Sequence, residues 1–254
     1  MTCVLDNNGF DDCQYAYLKN RSSTHAVLVL TESIKRNLNG KVTGVVFFDY
    51  TDAFGTVNRS KLLMKLCEDF GVSGRLLLFL IDFLSSRYAR NKVNELIGDW
   101  ISSDSGTSAG TILGVMLFIS YVHETPRCIR PKFADNLVSH VSGSNILSVQ
   151  TELQHNLNEL IEWSKKWNMT LNIGKTKAML FGGKPGDTVI LNAGGSSIEN
   201  VSEYKYLGVI LDDHLRFDVQ SEYVATKARR AFAKVNRLFD GRKGIPVKIS
   251  PVGD

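Results

Sequence analysis

Apolar positions recur along the chain with two periods, and the switches between them lay out the elements. Val27, Leu30, Ile34 and Leu38 fall at helical spacing behind Ser22 and Ser23, either of which can cap the helix, and Asn39-Gly40 ends it. Val42 to Phe48 is rich in β-branched and aromatic residues and stops at Asp49, which predicts a strand. A helix over about Arg59 to Phe70 should stop at Gly71, and a second, starting after Ser73, carries an apolar face from Leu76 to Leu84. Val93 to Ile97 and Trp100 to Ser102, separated by Gly98-Asp99, predict a β-hairpin.

A loop, DSGTSAGT, then leads into a buried helix over about Ile112 to His123. Lys132-Phe133 and Leu137 to Val141 read as a hairpin around Ala-Asp-Asn, with Asp135 at its tip. Leu153, Leu157, Leu160, Ile161 and Trp167 mark one amphipathic helix from Leu147 to Trp167. Lys177 to Phe181, Thr188 to Leu191 and Tyr204 to Leu211 read as extended, and the basic stretch after Phe217 returns to helix. Strands interspersed with helices, several in hairpins, predict an α+β fold with a largely antiparallel sheet.

Composition narrows the class without naming a task. At 254 residues, 43% hydrophobic and 22% charged, the chain has the make-up of a globular protein of one large or two small domains. The apolar runs Leu76 to Ile81 and Ile112 to Val122 are shorter than the roughly 18 residues that span a bilayer, and residues 1–20 show no secretory signal. No membrane partner and an intracellular location are the expectation. Cys3, Cys13, Cys67 and Cys128 lie far apart without a CxxC pair or a zinc-type histidine spacing, and read as reduced thiols. The net charge of +4 says little, but Arg216, Lys227, Arg229, Arg230, Lys234, Arg237, Arg242 and Lys243 concentrate positive charge near the C-terminal end. Such a cluster suits a polyanion or a solvated helix face.

Two residues could carry chemistry. Asp49 sits where an apolar strand opens into a loop, and Asp135 at a hairpin tip. Each alone is more often a cap or turn former. Together, on adjacent strand ends, they would offer the hard oxygen ligands that magnesium requires. The order of segments then becomes recognisable. QYAYLKNRSSTHA at residues 14–26, FFDYTDAFGTVN, SGTSAGTILGVMLF, KFADNLVSHVSG, WSKKWNMTLNIGKTKAMLF and EYKYLGVILD appear in the order of a fingers segment, polymerase motifs A, B, C and D, and a following YLGV strand. From about Gln14 to Leu238 the chain resembles the reverse transcriptase domain of non-LTR (LINE-type, jockey-like) retrotransposons.

That resemblance implies a right-hand polymerase: partial fingers at 1–41 and 58–104, a palm at 42–57 and 105–212, and the start of a truncated thumb at 213–254. It implies an RNA template, a DNA primer and dNTP as partners, and two Mg2+ ions, or Mn2+, as cofactor. By the same analogy Asp49 and Asp135 hold metal, with Asn136 beside them. Phe54 lies under the incoming sugar and excludes a 2′-hydroxyl. Gly110, with Gly106 and Gly114 of the same motif, allows close backbone approach to base or nucleotide, and Lys175 or Lys177 lies near the triphosphate. Lys19, Arg21, Tyr206, Gly208, Arg229 and Arg230 would face nucleic acid. Asp52 reads as surface.

Several positions depart from the family pattern. Asn136 replaces the second aspartate of motif C, which removes one negative charge. Ser108-Ala109 replaces Pro-Gln in motif B, Val115 replaces a proline, and Gly55 stands where AFD is usual. Leu18 and Asn20 alter the fingers segment, the segment 122–132 is short, and neither an endonuclease nor a Cys/His module is visible. The departures leave two alternatives to an active polymerase: a catalytically degenerate fragment that binds RNA or RNA/DNA duplex, or an inert transposon relic.

Overall fold

The computed structural model of the chain describes residues 10–108 and 110–239. Cys3, Ala109, Arg242 and Lys243 therefore lie outside the described residues, whereas Cys13, Cys67 and Cys128 are free thiols. Helix α1 (Ser23–Asn37) starts where Ser22 accepts a hydrogen bond from the His25 backbone N–H, so the Ser22 option is the cap. It leads into β1 (Val42–Phe48), whose residues Thr43 to Phe48 are all buried. Continuous burial on both faces means that β1 is the central strand of a covered sheet.

Three helices and two short hairpins follow. Helix α2 (Arg59–Glu68) is capped by Asn58, and α3 (Gly74–Leu84) begins after the positive-φ turn at Gly71. Between α3 and α4 (Ile112–Tyr121) lie β2 (Tyr88–Ala89), β3 (Lys92–Val93), β4 (Leu96–Ile97) and β5 (Ile101–Ser102). They are nested: β3 pairs with β4 inside, and β2 with β5 outside. This corrects the expected turn at Gly98-Asp99. Asn94, at φ 55°, makes the turn, and the Gly98 N–H donates to the Asn91 carbonyl to continue the pairing. Asn tolerates this left-handed conformation, as glycine does.

The main sheet assembles from distant segments. Strands β6 (Ile129–Phe133), β7 (Asn136–Gly143), β8 (Lys177–Phe181) and β11 (Glu199–Asn200) join β1 in the order β11-β8-β1-β7-β6. Every pairing is antiparallel except β11 with β8. Helix α5 (Ile146–Lys166) covers one face with Val149, Leu153, Leu157 and Leu160. It lies so close that a Cβ at Gly44 would come 2.5 Å from the Leu153 side chain. The other face takes Val27, Leu30 and Ile34 of α1 against Val45, Phe47, Val138 and Met179.

Two stretches expected to be single strands are built differently. Thr188 to Leu191 forms no ladder, because side-chain amides take its backbone: Val189 N–H donates to the Asn200 carbonyl oxygen and Ile190 N–H to that of Gln150. The chain then makes the small hairpin β9 (Asn192–Ala193) and β10 (Ser196–Ser197). Tyr204 to Leu211 folds on itself as β12 (Glu203–Tyr206) and β13 (Val209–Asp212), turning at Leu207-Gly208 with φ of 46° and 90°. Helix α6 (Asp218–Phe239) completes the described chain. Among the described residues no helix is long and apolar enough to cross a membrane.

Candidate active site

The register of the central strands brings the two acidic segments to one edge. Phe48 pairs with Leu137, so Asp49 leaves β1 where Asn136 begins β7. Phe133 pairs with Asn136, which makes Ala134-Asp135 a two-residue turn with Ala134 at φ 54°. Asp49 and Asp135, remote in the chain, thus lie at the same end of the sheet. Loop backbone fixes Asp49: its carbonyl accepts from the Asn172 N–H at 2.8 Å and its own N–H donates to Thr176 Oγ1 at 3.4 Å.

The electrostatics of the corner are unbalanced. Asp49 Oδ2 is buried without a hydrogen-bond partner, and Lys175 Nζ stands 3.8 Å from it on a side chain that is 72% exposed. Burial pushes the Asp135 carboxyl above its usual range and the charge of Asp49 adds to the shift, while the Asn136 amide donates to Asp135 Oδ1 at 3.3 Å. Burial and then the Asp49 charge also raise the Tyr204 phenol. Two repelling carboxylates with a buried, unsatisfied oxygen form a donor set that fits a hard divalent cation.

Loops beside this corner interlock. Phe54 stacks on Phe118 with ring centroids 4.1 Å apart, and its carbonyl accepts from the Thr107 N–H. Gly106, at φ +86°, lies so near that a Cβ would meet the Gly55 backbone at 2.9 Å, which accounts for glycine there. Gly114 packs against the Ser108 carbonyl in the same way, whereas Gly110, at φ +85°, has open space around it. Arg59 binds these loops from below: it donates to the carbonyls of Gly106 at 3.0 Å, Ser103 at 2.5 Å and Ser105 at 2.6 Å. Asp52 is exposed at φ 45° and accepts from the Gly55 N–H, in keeping with its reading as surface.

Other expected residues fall elsewhere. Lys177 donates to the Gly174 carbonyl and pairs with Glu199 at 2.6 Å, whereas Lys175 Nζ stands 3.8 Å from Asp49 Oδ2. The Arg21 guanidinium bonds the carbonyls of Asp11, Asp12 and Gln14. Tyr206, 2% exposed, packs on Phe47 in the core. Gly208 serves the β12–β13 turn. Lys19, Arg229 and Arg230 are exposed, the last two on α6.

Pattern reading missed three supports. Gln14 Oε1 accepts from the Ala16 and Ala134 N–H groups and so braces the turn that holds Asp135. Lys132 is buried against Asp11 at 2.8 Å and ties the same segment to β6. Arg59 was read only as a helix start.

Residues 1–211 match the family described as "Reverse transcriptase (RNA-dependent DNA polymerase)". The RNA-directed DNA polymerase from mobile element jockey of Drosophila funebris is 27% identical over 150 residues, covering 55% of this chain and 16% of that protein. Its Drosophila melanogaster counterpart is 24% identical over 207 residues, 77% of this chain and 22% of the relative. The chain thus spans about a fifth of the length of the curated relatives it matches. Among solved structures, apo telomerase from Candida tropicalis, truncated from its C-terminal domain, superposes with a TM-score of 0.51 at 12% identity, covering 81% of this chain and 40% of that one. That likeness shows the polymerase fold, α+β with a sheet backed by helices. With the family matched from residue 1 to residue 211, the chain belongs to the reverse transcriptases, alongside those of jockey-like mobile elements.

Proposed function

We propose that the chain is the catalytic portion of an RNA-directed DNA polymerase that extends a DNA primer on an RNA template with dNTP. The observation that carries this reading is the placement of Asp49 and Asp135 at the same end of adjacent strands, with a buried Asp49 oxygen that has no hydrogen bond and the Asp49 charge acting on Asp135. Residues 42–57 and 105–212 act as palm, residues 58–104 with the segment before β1 as partial fingers, and α6 as the first part of a thumb. Asp49 and Asp135 would hold Mg2+ or Mn2+, and the Asn136 amide oxygen would add a neutral third ligand. When bound, two such ions activate the primer 3′-hydroxyl and neutralise the leaving pyrophosphate. Lys175, 3.8 Å from Asp49 on an exposed stem, would serve as the proton donor to the leaving group. Phe54, fixed by its stack on Phe118, forms a rigid floor that rejects a 2′-hydroxyl. Gly110 leaves its backbone open to the base or nucleotide.

Primer extension tests the reading. Purified chain with a primed RNA template and Mg2+ or Mn2+ should add dNTP in preference to rNTP, and Asp49→Ala should abolish addition. Equal signals from the two proteins would exclude catalysis by this corner. Asn136 favours a second reading, a polymerase fold that binds duplex without turnover; salt-dependent duplex binding with no extension above the Asp49→Ala level would select it.

A further inference from the structure

The nested hairpin presents features that the polymerase corner does not use. Tyr88 is 61% exposed and Trp100 62%, and the two rings line a cavity of about 340 Å³. Both also border a larger groove, about 780 Å³, that runs past Arg87 to the 103–108 loop and Gly55. The Arg90 guanidinium lies 4.4 Å from the Trp100 ring centroid, and that of Arg87 lies 4.7 Å from Phe83 while bonding Ser108 Oγ. Burial, and then the neighbouring charge of Arg87, lower the Arg59 pKa, so two cations crowd one wall of the groove. Asp52 is the carboxylate that lines it, and Asp104 lies close enough to Arg59 to offset part of the positive field.

Exposed aromatic faces alternating with guanidiniums suit unpaired bases on a phosphate backbone, because every base has a face to stack whatever its identity. A duplex keeps its bases stacked internally and cannot offer one to the gap between two rings. We propose that the Tyr88–Trp100 slot, with Arg90 and Arg87, holds an unpaired stretch of nucleic acid by base stacking and leads it along the groove to the loop between Ser103 and Ser108. The proposal rests on the reading of the chain as a template-using polymerase, and it adds the place where the unpaired strand is held.

Trp100 supplies its own probe, since the other two of the three tryptophans, Trp163 and Trp167, are buried. Titration of the full chain with oligo(U) or oligo(dT) of about 12 nucleotides should quench the exposed indole. Anisotropy of the labelled oligonucleotides should show affinity about tenfold weaker for Trp100→Ala, and weaker also for Arg90→Ala, with Trp100→Phe close to wild type but silent in fluorescence. Comparing the two oligomers shows whether the slot prefers ribose or deoxyribose. The idea fails if Trp100→Ala and Tyr88→Ala bind as wild type, if blunt duplex competes as well as single strand, or if the patch proves to join two copies of the chain, seen as a dimer that Trp100→Ala dissociates with oligonucleotide affinity unchanged. The wild-type chain separates this from catalysis: quenching without primer extension retires the polymerase reading alone, and extension with no quenching retires the slot alone, while Asp49→Ala should lose extension and keep the quench.

Discussion

Asn136 sets the charge balance of the corner. An aspartate there would add a third carboxylate to two that already repel, since the Asp49 charge helps to raise the Asp135 carboxyl. Asn136→Asp should therefore lower the melting temperature in metal-free buffer and raise it once Mn2+ is added, as binding to the folded state predicts. Primer extension by the variant should rise by about a hundredfold, the size expected when a few kcal/mol of charge stabilisation return. Thermal melts without and with Mn2+ and single-turnover extension check the two halves; a variant more stable without metal and no faster would show that the amide is no handicap. At this scale the sequence was legible where a residue sits at a strand end or a turn, as Asp49 and Asp135 do. It was silent where the partner is a remote backbone group: Arg59 bonds carbonyls at Ser103, Ser105 and Gly106, and Gln14 the N–H of Ala134. Nothing in local spacing encodes such partners.

Elements were read more easily than the joints between them. The span of β1 follows directly from its apolar run and α5 from its amphipathic period, whereas the nested hairpin turned on Asn94, which the Gly98-Asp99 signal obscured. Lys65 is a joint of this kind. Buried in α2, it donates to the Tyr121 carbonyl at 2.9 Å at the end of α4 and lies 4.0 Å from the Trp167 ring centroid after α5, with Glu124 at 3.6 Å. Burial pushes its ammonium down to about 8 from an ordinary 10.5. Between these values the unfolded chain holds a proton that the fold has released, so the stability tied to this site grows as pH rises through the window and is flat below it. Urea unfolding of wild type and Lys65→Met should show the difference between them moving in favour of wild type by at most about 1.4 kcal/mol per pH unit. A difference that stays constant with pH would mean that the ammonium keeps its water.

Across the whole molecule, charge is distributed rather than abundant. The formal excess is +4, yet α6 carries Lys227, Arg229, Arg230, Lys234 and Arg237 against Asp218 and Glu222. If this helix tracks a duplex backbone, Arg229→Ala with Arg230→Ala should weaken binding evenly across sequences and reduce the slope of log affinity against log salt by about 2. Filter binding across a salt series measures it, and an unchanged slope would leave the helix as solvated surface. The α+β class and the antiparallel bias were visible in the pattern of hairpins, but the strand order β11-β8-β1-β7-β6 was not, because pairing between remote segments leaves no local trace. The place of β1 in that order has a cost during synthesis. A ribosome releases Thr43–Phe48 long before Asn136–Gly143 and Lys177–Phe181, the segments that close its two edges. Throughout that interval this apolar ribbon of the nascent chain is bare on both sides, a template for any neighbour in an extended state. Translation speed between those points, and the holdases that meet the emerging chain, then govern how much soluble product accumulates.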